Sequence, residues 1–384
     1  MSVTAARGFS AAGVAAGIKV HGGLDLALVV NNGPLRAAAG VFTSNRVRAA
    51  PVLWCERVIA DGTLSSVVLN SGGANACTGR GGLEDVRATA EKVADVLGGH
   101  DTADVAVVST GLIGVRLPMD KLLTGVEKAA ADLSTDGGDM AAIAIKTTDS
   151  VHKTAVAEAD GWTVGGMAKG AGMLAPGLAT MLVVLTTDAD IDGESLDSAL
   201  RTATRSTFDR VDSDGCMSTN DTVLLLASGA SRIVPSYEEF ATAVHAVCED
   251  LARQLVADAE GAGKDIRIDV VNAASEDDAV EVGRSVARNN LLKCALHGED
   301  PNWGRVLAAI GTTSAAFEPD RLNVAINGVW VCEGGSIGAD RATVDMRGRE
   351  VVITADLAAG HDAATVWTND LTASYVHENS AYSS

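Results

Sequence analysis

The chain has 384 residues, enough for one large domain or two ordinary ones, and its 47% hydrophobic content suits a packed core that folds by itself. Its 50 acidic residues against 30 basic ones leave a formal charge of -20, with Lys and Arg scattered along the chain. Such a surface repels phosphate backbones and anionic membranes, which excludes nucleic acid and membrane partners and leaves a soluble, cytoplasmic protein as the expectation.

From the N-terminus, the first feature is a small-residue stretch from Gly8 to Ile18 behind Arg7. It is built of Ala and Gly, too feebly hydrophobic for a signal peptide, and reads as the mature start of the protein. No run approaches the about 18 apolar residues of a membrane span. Strand-like runs rich in Val, Ile and Leu follow at 66–70, 105–109, 180–187, 222–227 and 266–271. Between them lie helical patterns near 83–97, 119–132, 193–207 and 276–288, the third opening after Asp192 with an acidic first turn. The clearest helix runs from about Tyr237 to Asp258, where Phe240, Val244, Val247, Leu251 and Leu255 share one face. The alternation predicts a layered α/β protein without repeats or a flexible linker. Six cysteines, Cys55, Cys77, Cys216, Cys248, Cys294 and Cys332, stand far apart, with no C-x-x-C pair and no His at ligand spacing. They predict reduced core thiols, with neither a disulfide frame nor a zinc site.

A hairpin is predicted where Lys153 to Ala159 and Trp162 to Met167 flank the Asp160-Gly161 pair. It delivers the chain to K-G-A-G-M-L-A-P-G-L-A-T-M-L-V-V-L, a Gly/Pro stretch from Lys169 that ends in an apolar strand beginning at Thr180. Gly165, Gly166, Gly170, Gly172, Pro176 and Gly177 let the backbone before Ala179-Thr180 take conformations closed to bulkier residues, so a strained scissile peptide could be held there. A threonine in that place can attack the carbonyl of Ala179, and hydrolysis of the ester leaves it with a free α-amine of pKa about 7.7 to 8.0. That amine is a base attached to the nucleophile it must activate, so no separate histidine is needed. Gly170, Gly172 and Ala175 also satisfy the dinucleotide pattern G-x-G-x-x-A, but that motif must open a helix, and Pro176 with the β-rich run argues for a strand.

The same stretch resembles the self-processing signature of the bifunctional ornithine acetyltransferase / glutamate N-acetyltransferase family of arginine biosynthesis. The similarity spans essentially the whole chain, through G-V-F-T-S-N-R (40–46), L-N-S-G-G-A-N-A-C-T-G (69–79), S-T-G-L-I-G (109–114), E-G-A-G-K (260–264), H-G-E-D-P-N-W-G-R (297–305) and the closing Y-V-H-E-N-S-A-Y-S-S. It implies an N-terminal-nucleophile-type sandwich of the ornithine acetyltransferase and DmpA-like kind, its sheets covered by helices. It also implies cleavage between Ala179 and Thr180 into an α chain, 1–179, and a β chain, 180–384, interleaved in one body and paired as an α2β2 heterotetramer. The implied reaction is ping-pong: Thr180 takes acetyl from N2-acetylornithine, and glutamate then attacks the acetyl-enzyme. An aminopeptidase or amidase using the same Thr180 is the rival, and whether acetyl-CoA also donates acetyl stays open. No metal or organic cofactor is implied.

Residue roles carry over from the same resemblance. Thr110 and Gly111 would form the oxyanion hole; a lone S-T-G would otherwise read as a turn, but one well-placed donor to an oxyanion is worth about 3 to 4 kcal/mol. Substrate contacts fall on Thr147, Lys169, Thr180, Glu260, Asn379 and Ser384. Lys169 offers charge to a carboxylate, Glu260 to an ornithine ammonium, and Asn379 can donate and accept. K-T-T-D stands where M-T-T-D is expected, which leaves Thr147 and Thr148 as alternatives. Ser384 needs a docked tail, which Tyr375 and Tyr382 could secure by packing. In the 297–305 block, Asp300-Pro301 and Gly304 read as a structural turn, and His297 has no evident acid or base partner.

Overall fold

Alternation of side chains along the apolar strands decides the layering. In Leu182–Thr187, Leu182 and Val184 enter one hydrophobic cluster while Val183 and Leu185 enter another. Its neighbour Thr222–Ala227 divides in the same way, with Leu224 and Leu226 on one side and Val223 and Leu225 on the other. Strands buried on both faces need a covering layer above and below.

The computed structural model describes residues 2–175 and 181–381. Among these the strands form three sheets. The first runs in the order Phe9–Val14, Leu26–Asn31, Ser66–Ser71, Val105–Thr110. The central sheet runs Ala38–Phe42, Thr222–Ala227, Leu182–Thr187, Thr163–Lys169, Lys153–Glu158. These two sheets face one another across a core of Phe9, Val29, Leu69 and Val108 on one side and Met167, Leu182 and Leu224 on the other. Helices Gly79–Leu97 and Met119–Ala131 cover the outer face of the first sheet. Gly193–Ser206 and Tyr237–Ala257 cover the central one. The result is a four-layer sandwich of helix, sheet, sheet and helix, the fold class expected. The central sheet takes strands from both sides of residues 176–180.

The third sheet stands on its own core with helices Glu276–Ala287, Asn290–His297 and Trp303–Ile310. Its order is Ser336–Ile337, Val329–Glu333, Asn323–Ile326, Glu350–Asp356, Asp265–Ala273, Asp362–Asn369. The last of these strands leads to the C-terminal helix Ala373–Ala381.

Local signals set several boundaries. Helix Tyr237–Ala257 opens in a capping box, with the Ser236 hydroxyl accepting from Glu239 N and the Glu239 carboxylate accepting from Ser236 N. The Asp160-Gly161 hairpin pairs Lys153–Glu158 with Thr163–Lys169, and Gly161 supplies φ +83°. No helix opens between Gly170 and Ala175, in keeping with rejection of the dinucleotide motif.

Other expectations need correction. The Gly8 to Ile18 stretch also carries a paired strand not read from the sequence, Phe9–Val14, antiparallel to Leu26–Asn31. Gly304 lies inside helix Trp303–Ile310, so the turn is confined to Asp300-Pro301, whose carbonyls accept from Asn302 N at 2.7 Å and from Trp303 N at 3.0 Å. Only Cys55, Cys248 and Cys332 are core thiols; Cys77, Cys216 and Cys294 are exposed. Among the described residues no helix is long and apolar enough to cross a membrane.

Leu69→Ala, a truncation in the core between the facing sheets, is expected to cost about 3 kcal/mol of stability. Val20→Ala, at a side chain 94% exposed, should change it by less than about 0.5 kcal/mol. Urea-unfolding midpoints check both, and an unshifted midpoint for Leu69→Ala contradicts the two-sheet core.

Candidate active site

Strand Val105–Thr110 pairs parallel with Ser66–Ser71, so the two strands end side by side and their following loops meet. The Thr110 carbonyl accepts from the N–H groups of both Gly72 and Gly73, at 2.9 and 3.0 Å. Gly111 then turns with φ +129°, and a Cβ there would stand 2.5 Å from Gly73 N, so only glycine allows this approach. Asn220 clamps the same junction, its amide donating to the carbonyls of Ser109 (2.8 Å) and Ala74 (2.6 Å).

Facing this strand end is Lys169, the last residue of Thr163–Lys169 and 2% exposed. Its ammonium donates to Thr110 Oγ1 at 3.5 Å and lies 4.0 Å from Asp149 Oδ2. Asp149 is a hub. Its Oδ1 accepts from Lys153 Nζ at 2.7 Å and from Gly170 N at 2.6 Å, while Oδ2 accepts from Thr147 N at 2.9 Å. Lys153 in turn donates to Asp258 Oδ2 at 2.6 Å, just beyond helix Tyr237–Ala257 and two residues before Glu260. Burial alone would raise the Asp149 carboxyl, but Lys169 and Lys153 overcome it and hold it well below the usual carboxylate range. Burial pushes the Lys169 ammonium down, against the pull of Asp149.

The loop after Lys169 is pinned at each step. Asp149 holds Gly170 N; Ala171 O accepts from Glu260 N at 3.0 Å; and Asp214 Oδ2 accepts from Met173 N at 2.6 Å. Leu174 O accepts from Ser213 N at 2.6 Å. At Gly172 a Cβ would lie 2.6 Å from both Glu260 carboxylate oxygens, so the loop backbone and that carboxylate are in direct contact. Asn379 donates to Glu260 Oε2 at 2.9 Å, docking the C-terminal helix on the same group. Burial, with Asp214 and Glu260 nearby, pushes the Tyr375 hydroxyl of that helix up to about 12. Behind the loop, Lys293 donates to Ser213 O and Thr368 Oγ1, and burial lowers its ammonium to about 8.

Among the residues singled out from sequence, Thr110, Thr147, Lys169, Glu260 and Asn379 join this connected network, and Gly111 adjoins it. Between the two threonines, Thr147 is the one whose N–H the hub holds. Ala179, Thr180, Tyr382 and Ser384 lie outside the described residues. His297 does have an acidic partner: its Nδ1 is 2.8 Å from Asp370 Oδ2, and Asp370 Oδ1 accepts from Gly263 N and Lys264 N at 2.8 Å each. This ties the 297–305 block to the E-G-A-G-K loop that carries Glu260. Sequence reasoning missed the buried acids Asp149 and Asp221 and the half-buried Asp214 and Asp258. Their available signal was an Asp at the end of a short Ser/Thr/Gly-rich turn, as in K-T-T-D, D-S-D-G and S-T-N-D.

A family model described as the ArgJ family matches residues 10–384. The chain is 76% identical to the arginine biosynthesis bifunctional protein ArgJ of Streptomyces avermitilis, with all of both chains covered. Among solved structures, it is 34% identical to the arginine biosynthesis bifunctional protein ArgJ of Bacillus halodurans, with a TM-score of 0.50, covering 52% of this chain and 98% of that one. An ornithine acetyltransferase of Mycobacterium tuberculosis, solved in complex with ornithine, is 58% identical at a TM-score of 0.45 and covers 47% of this chain and 96% of that one.

Because its carboxyl is held low, Asp149 contributes stability that is fully present above about pH 4 and lost as pH falls toward the depressed folded-state value. Asp149→Asn leaves Lys153 and Lys169 short of a counter-charge and should cost about 3 to 5 kcal/mol at pH 7. It should also flatten the loss of stability between neutral and acid pH. Denaturant titrations of both proteins at pH 7 and pH 3 test this, and two parallel pH profiles contradict the hub.

Proposed function

The chain belongs to the ArgJ family of arginine biosynthesis, and from that premise we propose that Thr180 is its acetyl carrier, exposed by self-cleavage at Ala179-Thr180. It is an acetyltransferase, a glutamate N-acetyltransferase of the ornithine acetyltransferase type with amino-acid N-acetyltransferase activity as the second function of a bifunctional enzyme. Acetyl leaves N2-acetylornithine for Thr180 and passes to glutamate. The observation that carries this reading is the single connected network, buried at Thr110 and Lys169, that joins them to Thr147 and Glu260 at the base of the loop that runs on to Ala179-Thr180.

Each step uses a group in that network. Once cut, the Thr180 amine accepts the proton of its own hydroxyl, and the oxygen attacks the acetyl carbonyl. Gly111 N–H and the Thr110 hydroxyl are the donors for the tetrahedral oxyanion, and their preorganised turn keeps the reorganisation cost low. Lys169 takes the α-carboxylate of either amino acid. Glu260, oriented by Asn379, takes the ornithine side-chain ammonium. Ornithine leaves, and the glutamate amine attacks the acetyl ester through the same oxyanion site. Cleavage is supported by length as well: nearly all of the Bacillus halodurans chain matches about half of this one, the share that a cut near the middle would give. Strands from both sides of residues 176–180 share the central sheet, so the two pieces would stay together as one α–β pair. Two such pairs would form the α2β2 tetramer.

Purified protein should give two polypeptides by intact mass, the second beginning at Thr180, and Thr180→Ala should remain one chain without transfer activity. With acetylornithine and glutamate, acetyl should be recovered on glutamate, rising in rate as pH passes through about 7 to 8. Free acetate in place of acetylglutamate points instead to a hydrolase on the same nucleophile. Activity in Thr180→Ala ends the proposal.

A further inference from the structure

The proposed exchange passes two side chains of opposite charge through one subsite: the ornithine ammonium leaves and the glutamate γ-carboxylate arrives. The inference that follows rests on that reading. Glu260 attracts the first and repels the second, so the subsite must also offer glutamate a hydrogen-bond donor that carries no negative charge.

Most neighbours of Glu260 cannot be that donor. Asp214, which pins Met173 in the loop that Glu260 touches at Gly172, is a second acid, its oxygens accepting from Met173 N and Cys216 N at 2.6 and 3.0 Å. Lys169 is taken by the α-carboxylate, and Lys293 donates behind the loop to Ser213 O and Thr368 Oγ1. Asn379 is uncharged, but its side-chain amide has two hydrogens and both are engaged. Nδ2 donates to Glu260 Oε2 at 2.9 Å and to the Tyr375 carbonyl at 3.0 Å, which leaves only an acceptor oxygen free. The exposed Cys216 thiol is a weak donor.

Tyr375 stands one helical turn before Asn379, and its backbone is fixed to the turn that follows Glu260. A Cβ at Gly261 would lie 2.2 Å from Tyr375 N. The Thr372 hydroxyl donates to Gly261 O at 2.7 Å and accepts from Tyr375 N at 3.0 Å. The ring is half-buried, with Asp214, Glu260 and Cys216 as the titratable groups near its hydroxyl. Burial and those neighbours keep the hydroxyl protonated, so it is a donor at any working pH. Among the described residues no hydrogen bond engages it.

We propose that Tyr375 is a specificity-determining residue for the acceptor, its hydroxyl donating to the γ-carboxylate of glutamate that Glu260 and Asp214 repel. With ornithine in the subsite, the carboxylates take the ammonium and the hydroxyl is dispensable. A neutral donor beside two acids lets one subsite serve both charges.

Purified protein is given N2-acetylornithine with equal concentrations of 15N-labelled ornithine and 15N-labelled glutamate, and mass spectrometry counts acetyl on each labelled amine. The ratio is internal to one sample, so it does not depend on how much of a variant is folded. Tyr375→Phe should lower the glutamate-to-ornithine ratio by about tenfold or more, through a higher KM for glutamate with kcat little changed. An unmoved ratio overturns the proposal, and so does an equal loss of transfer to both amines, which is the mark of a structural role. Wild-type protein that acetylates neither amine ends the reading of the reaction itself, whereas wild-type transfer with an unmoved ratio in Tyr375→Phe ends only the role of Tyr375.

Discussion

A carboxylate placed where water cannot reach must be compensated by the protein, and Asp149 shows what that requirement builds. Its two oxygens draw in the Lys153 ammonium, the N–H groups of Thr147 and Gly170, and at longer range the Lys169 ammonium. These groups come from a loop, a hairpin and the end of a strand, so satisfying one charge fixes three segments relative to one another. Lys153 is too much charge for a shared carboxylate alone, and Asp258 takes the remainder. That second contact reaches the end of helix Tyr237–Ala257 and sets where the Glu260 loop begins. The positions of Lys169 and Glu260 are therefore linked through charge balance as well as through the direct contact of Glu260 with the loop that follows Lys169.

The sandwich supplies the dry surroundings in which such balances matter. Two sheets face each other over a core of aliphatic side chains, and both Val105–Thr110 and Thr163–Lys169 terminate at its edge. Strand ends are where backbone N–H groups become free of the ladder, and a glycine with positive φ just beyond one of them turns the chain without filling space. The loop from Gly170 is accordingly held from elsewhere, by the side chains of Asp149 and Asp214 and the backbone N–H of Glu260, because it has no ladder of its own.

The strands of the sandwich centre were legible because they are short, continuous apolar runs bounded by turn residues, as in Thr222–Ala227, and the long helix because its apolar face repeats cleanly. Phe9–Val14 and Ala38–Phe42 were not, because Ala and Gly dilute the signal where strands pack closely against neighbours. In the third sheet, strands such as Asn323–Ile326 and Val329–Glu333 are too short to show a period. Of the site, motif resemblance picked out Thr110, Thr147, Lys169, Glu260 and Asn379, residues that offer recognisable chemistry. It passed over Asp149, whose letter was in the quoted K-T-T-D, and Asp214 and Asp221 likewise. An aspartate in a turn is ordinarily a surface residue, and only the folded structure reveals that Asp149 and Asp221 are buried and Asp214 half-buried.

Lys169 shows why the acids behind the site matter to the chemistry in front of it. Burial disfavours its ammonium, and Lys153 adds repulsion, while Asp149, Asp221 and Glu260 favour it. On the proposed reading, a carboxylate arriving at that ammonium would add a further favourable charge to a group that has already lost its water in folding. The desolvation cost has been met in folding, so it does not recur on binding, and the interaction acts in a low dielectric where it is strong. The same surroundings penalise an amine at that position, since a second positive charge would face both Lys169 and Lys153. On the proposed reading, discrimination between the carboxylate end and the ammonium end of an amino acid would follow from two lysines on one side and Glu260 with Asn379 on the other, before any shape is considered.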